Sequence, residues 1–237
     1  MNAVTNPTIA LLQSSSLATV VQQEIERAIL AGEYPPGSQL IEVTLAEKMG
    51  VSRGPIREAF RMLDEAGLVR TEKNRGVFVK AIPIEEAIEI FDLRAAMDQM
   101  VGRKLATEAT PQQLKELREL VDAMKKAAKA DDTYQYHLLN LKFHDRLVEM
   151  TGNSKLVAIY RKLIKELSLF RRLNLSEGWK MPVSANEHQK ILKAIASKDA
   201  DAAGQAMFEH AMQSKERTIA NDLRRQGHTP ATSKTHA

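Results

Sequence analysis

The stretch L40-I-E-V-T-L-A-E-K-M-G-V-S-R-G-P-I-R-E-A-F-R-M-L-D-E-A-G-L-V69 decides how this chain is read. Within it, V51-S-R-G-P-I-R-E-A-F60 sets two arginines four residues apart, with Gly54-Pro55 between them. A proline in a helix interior removes a hydrogen bond and clashes with the preceding turn. In the first turn its missing N–H is one of the donors that have no partner anyway. Ser52 is a suitable N-cap, so the spacing predicts a helix that begins at this motif instead of breaking in it. Ile56, Ala59, Phe60 and Leu63 then recur at helical spacing, and Gly67 ends the run. Arg53 and Arg57 fall on the leading turn, with Arg61 one turn behind.

Outward from this helix the pattern continues on both sides. Upstream, Leu17 to Ala31 carries Val20, Val21, Ile25, Ala28 and Ile29 as an apolar stripe closed by Gly32. After the turn Y34-P-P-G-S38, the run I41-E-V-T-L-A-E-K-M49 reads as a short helix that directs Leu45 and Met49 inward and stops at Gly50. Downstream, L68-V-R-T-E72 and V77-F-V-K80 are strand-like runs around K73-N-R-G76, a hairpin with Gly76 at the position that needs a left-handed backbone. Three short helices with a tight turn at Gly50, then a hairpin, have the order of a winged helix-turn-helix, whose third helix enters the DNA major groove by its N-terminal end. In that arrangement Arg53, Arg57 and Arg61 reach phosphates or guanine edges, and Ser52 with the free first-turn amides holds a phosphate. Lys73, Asn74 and Arg75 cluster at the hairpin tip, placed for a minor-groove or phosphate contact. The same spacing permits solvated arginines paired with Glu58 or Glu47.

The chain has 237 residues, enough for two domains or one large helical one, with 43% hydrophobic and 27% charged residues and only 5% aromatics. It has six histidines and no cysteine, and the lack of cysteine excludes disulfides, thiolate metal ligands and cysteine nucleophiles. There is neither a transmembrane run nor a secretory leader in the opening M1-N-A-V-T-N-P-T8, so a cytoplasmic location is expected. Net charge is +4, yet residues 17–80 hold nine Lys/Arg against nine Asp/Glu. Binding of a polyanion by this segment therefore depends on where its cations are placed. Residues 1–16 read as a flexible leader, 17–81 as the DNA-binding domain, 84–223 as an all-helical domain and 224–237 as a disordered tail. The expected helices of the second domain are 84–106, 111–130, 132–151, 155–176, 184–197 and 199–223.

Four histidines lie on these helices. Asn140 and His144 share a face with His137, Leu141 and Val148, while His188 shares one with Ile191, Leu192 and Ile195. His210 shares a face with Ala203, Ala206 or Met207, and Ser214. One histidine on an apolar face is ordinarily a satisfied core residue. Three, with an asparagine one turn before one of them, point to a site of neutral imidazoles for zinc, nickel or another transition ion. Glu187 adjoins His188 but is read as pointing elsewhere on its helix, which leaves no general base for the rival reading, a metal-dependent hydrolase or lyase. A third reading is a structural DNA-binding protein without an effector.

The stretch from Leu40 to Val69 closely resembles the DNA-binding domain of the GntR family of bacterial transcription regulators, whose signature runs L-A-x-x-x-G-V-S-R-x-P-V-R-E-A-L-x-x-L-x-x-x-G-L-V. The resemblance implies operator contacts by Ser52, Arg53, Gly54 and Arg57 and by the wing tip, with Val43 standing where several members carry arginine. E89-I-F-D-L-R94, N140-L-K-F-H-D-R-L147, T151-G-N153, E187-H-Q-K-I191 and H210-A211 resemble the FCD effector domain of the FadR-type branch, a six- or seven-helix bundle. The implied fold class is mainly α, an N-terminal winged helix-turn-helix plus a C-terminal all-α bundle. The implied metal is divalent, zinc first, held by Asn140, His144, His188 and His210, with Asn140 in place of the usual aspartate. Arg94 matches the family's helix arginine and is expected either to hold an effector anion or to form an ion pair with Asp98. Arg171 and Arg172 carry the same two readings. The implied protein is a homodimeric repressor on a near-palindromic double-stranded operator, not an enzyme, with a small organic acid as effector. E72-K-N-R-G-V-F-V-K80 with L167-S-L-F-R-R172 resembles regulators associated with phosphonate utilisation, which adds phosphonates to the effector class.

Overall fold

The computed structural model describes residues 17–174 and 181–225, without the side chains of residues 171–174 and 225. The expected leader (1–16), the tail from 226 and the end of the helix expected at 155–176 lie outside the described residues. What is described falls into two compact units: residues up to Ile82 together with Lys165–Leu173, and Pro83–Ile164 together with residues from Asn174 onward.

The first unit contains α1 (Leu17–Ala31), β1 (Gln39–Leu40), α2 (Glu42–Met49), α3 (Arg53–Glu65), β2 (Val69–Glu72) and β3 (Gly76–Val79). Helix α3 starts at the arginine motif, with Pro55 in its first turn, and buries Ile56, Ala59, Phe60 and Leu63. It packs against α1, which buries Val21, Ile25, Ala28 and Ile29. Each fully buried aliphatic side chain of this kind contributes about 1.5–3 kcal/mol of transfer free energy. Two residues of the expected apolar faces are less buried than expected: Val20 is exposed and Met49 half-buried. In α2, Ala46 joins Leu45 in the core instead. Gly50 closes α2 with φ 64°, and this left-handed step, free of Cβ strain, allows α3 to begin three residues later.

The hairpin forms as expected, with Val69 opposite Val79 and Glu72 opposite Gly76. It is joined by a strand the sequence does not announce, since β1 pairs antiparallel with β3 and gives the sheet order β1-β3-β2. Two residues are too few for a period-2 signal.

The second unit is built from α4 (Ile84–Glu108), α5 (Pro111–Lys129), α6 (Thr133–Met150), the first half of α7 (Ser154–Asn174), α8 (Met181–Ala196) and α9 (Ala200–Arg225). Thr110 and Gln113 form a reciprocal capping box at the start of α5, and the Asp132 side chain accepts from the Gln135 amide to start α6. Helix α8 begins three residues before the expected 184, and α9 runs two residues beyond the expected 223. Helices α4 and α9 lie against one another at glycines: a Cβ on Gly102 would stand 2.5 Å from the Ala203 carbonyl oxygen. The core is aliphatic and aromatic, with Val101, Leu117, Met124, Phe143, Ile191 and Met207 fully enclosed. Into it project Arg94, Asp98, Asn140, His144, His188 and His210, all buried.

Candidate functional site

In the first unit the leading turn of α3 is an exposed cationic edge. Ser52 stands at the N-cap with extended backbone, but its side chain makes no capping hydrogen bond, contrary to expectation. Gly54 faces open space, since a Cβ there would meet nothing within 4 Å. Nothing among the described residues therefore requires glycine at this position. Arg53 and Arg57 are paired, though with neither Glu47 nor Glu58. Both give their Nε to one carboxylate, Glu42 at the start of α2: Arg53 to Oε1 and Arg57 to Oε2, the latter at 2.8 Å. Hydrogen bonds from Arg57 and then Arg53 hold the Glu42 carboxyl below its ordinary range against partial burial. Arg61 is engaged differently, its Nε, Nη1 and Nη2 all spent on Glu58 and Glu65 of its own helix. The structure thus groups Arg53 with Arg57 and leaves Arg61 in a separate intrahelical network.

At the hairpin tip Asn74 and Gly76 both take positive φ, 61° and 110°. Sequence reasoning assigned this role to Gly76 alone; asparagine tolerates the left-handed region and shares it. Lys73 and Asn74 are exposed, while Arg75 pairs with Glu72 at 2.5 Å and its carbonyl accepts from the Gln39 amide at 2.8 Å.

In the second unit three histidines from three helices converge. His144 Nε2 lies 3.2 Å from His188 Nε2 and 3.2 Å from His210 Nε2. The outer nitrogens fix the tautomers. His188 Nδ1 is 2.7 Å from the Ser184 carbonyl, which only accepts, and His210 Nδ1 is 2.8 Å from Glu187 Oε2. Burial raises the Glu187 carboxyl, but hydrogen bonds from His210 and Arg217 outweigh it and hold the group at about 2. Glu187 is therefore ionised and accepts, so both outer nitrogens carry the proton and both Nε2 atoms turn lone pairs inward. Burial depresses His210 to about 4 and His188 well below its ordinary value, which keeps these imidazoles neutral at pH 7.

A proton on His144 Nε2 satisfies one of those lone pairs at a time, whereas a cation among the three nitrogens satisfies all of them. Tetrahedral ligation at Zn–N distances near 2.0–2.1 Å sets ligand nitrogens about 3.3 Å apart, close to the observed separations. Asn140, buried one turn before His144 on α6, makes no side-chain hydrogen bond to another described residue. The donor set accordingly fits a divalent transition ion.

Arg94, only 2% exposed, sits beside this cluster. Its Nε is 3.2 Å from Asp98 Oδ2 and 3.3 Å from the Tyr160 hydroxyl, which itself donates to Asp98 Oδ1 at 3.0 Å. Its Nη2 lies 3.2 Å from His144 Nε2. The two expected roles are thus geometrically compatible: one edge makes the ion pair and the other faces the histidines. Burial lifts the Asp98 carboxyl to about 6, with Arg94 pulling the other way. The side chain of Arg171 lies outside the described residues.

Sequence reasoning missed Tyr160, Glu187 and Arg217. Glu187 does not point away from the site; it is buried against the outer nitrogen of His210, with Arg217 bridging both its oxygens at 2.6 and 2.9 Å. Such an outer partner orients a ligating imidazole and raises its basicity. The positions 210, 214 and 217, on one helical face, carried a signal for Arg217. Nothing local connects Glu187 to a histidine 23 residues away.

Comparison with known proteins identifies both parts of the chain. Residues 17–79 match the family described as bacterial regulatory proteins, gntR family, and residues 89–213 match the FCD domain. The chain is 28% identical over 189 residues to an uncharacterised HTH-type transcriptional regulator, YdhC, of Bacillus subtilis, covering 79% of this chain and 84% of that protein. It is 28% identical over 195 residues to the gluconate operon transcriptional repressor of Bacillus licheniformis, covering 80% of each. It shares the fold of the solved structure of McbR/YncC from E. coli, with a TM-score of 0.75 at 22% identity over 87% of this chain and 99% of that one.

Proposed function

We propose, on the premise that this chain belongs to the GntR family of bacterial regulatory proteins and carries an FCD domain, that it is a homodimeric repressor released from its operator by a small anionic metabolite. The family and the curated relatives are DNA-binding transcriptional regulators and not enzymes. A dimer sets two α3 helices about 34 Å apart, one DNA turn, and so reads a near-palindromic site. Ser52, Gly54 and the first-turn amides of α3 approach a phosphate, which gives the open space at Gly54 its use. Arg53 and Arg57 read base edges from the leading turn, and Lys73, Asn74 and Arg75 touch the backbone or minor groove from the hairpin tip. Arg61, tied to two acids of its own helix, is the weakest member of this set.

The observation that carries the effector half of this reading is the meeting of three imidazole Nε2 atoms beside the Arg94 edge that faces them. His144, His188 and His210, with the Asn140 carbonyl, would hold the metal, zinc or alternatively nickel. Bound there, it supplies a Lewis-acid contact for an oxygen anion. Arg94 Nη2 offers a charged donor to the same anion, a carboxylate or a phosphonate. The name of the gluconate operon repressor, a relative with 28% identity, is in keeping with a small acid as the regulating ligand. To release DNA, the acid must bind the DNA-competent and DNA-incompetent forms unequally.

A thermal-shift screen tests the reading directly. Gluconate, other small carboxylates and phosphonates are applied to metal-stripped, zinc-loaded and nickel-loaded protein. A shift by one acid class that requires metal supports it; no shift by any acid, with no metal bound by the purified protein, overturns it.

A further inference from the structure

We propose that Glu42 is the specificity-determining positioning residue of the DNA-reading helix, a role that rests on the reading of α3 as the DNA-contacting element. Its carboxylate takes Arg53 on one oxygen and Arg57 on the other, both through Nε. The two arginines are more than half exposed, whereas the Glu42 side chain is 21% exposed. The carboxylate is thus the fixed member and the guanidiniums are the long arms it holds. Engagement through Nε leaves the outer Nη pairs of both arginines without partners among the described residues, and that edge makes bidentate contact with guanine O6 and N7.

Arg61 provides the internal contrast. Its acids take Nε, Nη1 and Nη2, so no fork remains for a base. The position of Glu42 also explains why an acid is tolerated near a polyanion. A carboxylate close to phosphates lowers affinity for every DNA sequence alike, while restricting two flexible arginines to one geometry penalises every wrong sequence. Specificity is a difference of affinities, and a group that weakens non-specific binding while fixing readout geometry raises that difference.

The probe is a random double-stranded library, from which wild type selects its preferred duplex. Wild type, Glu42→Gln, Glu42→Ala and, as control, Glu58→Gln are then compared on that duplex and on a scrambled one at two salt concentrations. Circular dichroism melts confirm that each variant is folded. Glu42→Gln keeps the shape and removes the charge, so the prediction is equal or tighter binding to scrambled DNA and a specificity ratio at least tenfold lower. Glu42→Ala follows it, and Glu58→Gln leaves the ratio within twofold of wild type. If the ratio is unchanged or higher in both Glu42 variants, Glu42 only screens charge and the positioning role is wrong. If wild type itself enriches no sequence, the DNA-reading assignment of α3 fails and the Glu42 role falls with it.

Discussion

Among the clusters that join arginine to carboxylate, the one around α3 and the one on α4 differ in burial. Around α3, Arg53 and Arg57 share Glu42 in the open, at the rim of a small helical core. On α4, Arg94 and Asp98 are enclosed with Tyr160 beside the histidines. Exposed pairs are screened by water and contribute little to stability, so the outer Nη edges of Arg53 and Arg57 can take up and release phosphate or guanine at small cost while Nε stays on Glu42. A buried pair cannot be opened at small cost, because removing one member leaves a charge without solvent or partner. The first cluster suits a surface that makes and breaks contacts with DNA. The second suits a fixed socket whose remaining donor edge is offered to something entering it.

The contrast is sharpest at the buried pair. Arg94→Ala strands Asp98 and is expected to cost the helical unit about 3–5 kcal/mol, read as a lower urea midpoint. The pH dependence has a definite sign. Asp98 is raised from an ordinary 3.8 to about 6, so between these values the folded state binds the proton more tightly than the unfolded one. Its contribution therefore favours folding below about pH 4, is lost as pH rises to about 6, and is flat above. The slope is at most about 1.4 kcal/mol per pH unit. Asp98→Asn should abolish this slope in urea melts taken from pH 4 to 7.

The outer partner of the histidines comes next. Glu187→Gln removes the charge behind His210 and should weaken metal binding about 10- to 100-fold in competition with a chelator. An unchanged affinity would mean that the imidazole is oriented by packing alone. At the open cluster the balance reverses: Arg57→Ala should weaken binding to a selected duplex roughly tenfold or more while leaving the thermal midpoint unchanged. Arg61→Ala is the smallest effect, under about twofold on DNA, because its guanidinium is already committed to Glu58 and Glu65.

What was legible in the sequence followed from local rules. The start of α3 at Ser52-Arg53, its buried Ile56, Ala59, Phe60 and Leu63, the stop at Gly50 and the six later helices all follow from spacing, proline and glycine chemistry. The histidines were visible as three residues on apolar faces, but their convergence is a property of how α6, α8 and α9 pack. Helical spacing offers Glu58 on α3 and Glu47 on α2 as partners, whereas the pair closes on the acid at the very start of α2, which no spacing within α3 singles out. Glu187 was misread for a related reason. Its direction was judged from its neighbour His188 on one helix, and the residue that matters, His210, arrives from another. The two-residue strand β1 and the left-handed Asn74 were beyond any periodic signal.

If a ligand in the buried socket controls the exposed reading edge, DNA affinity must respond to an acid bound among the histidines. The affinity of zinc-loaded protein for its selected duplex is titrated with an acid that gives a thermal shift, in wild type and in His144→Ala. Coupling between two sites ordinarily changes affinity by 5- to 150-fold. The prediction is a loss of DNA affinity of about tenfold in wild type and none in His144→Ala. An acid that binds the wild type, shown by its thermal shift, yet leaves DNA affinity unchanged would contradict the account.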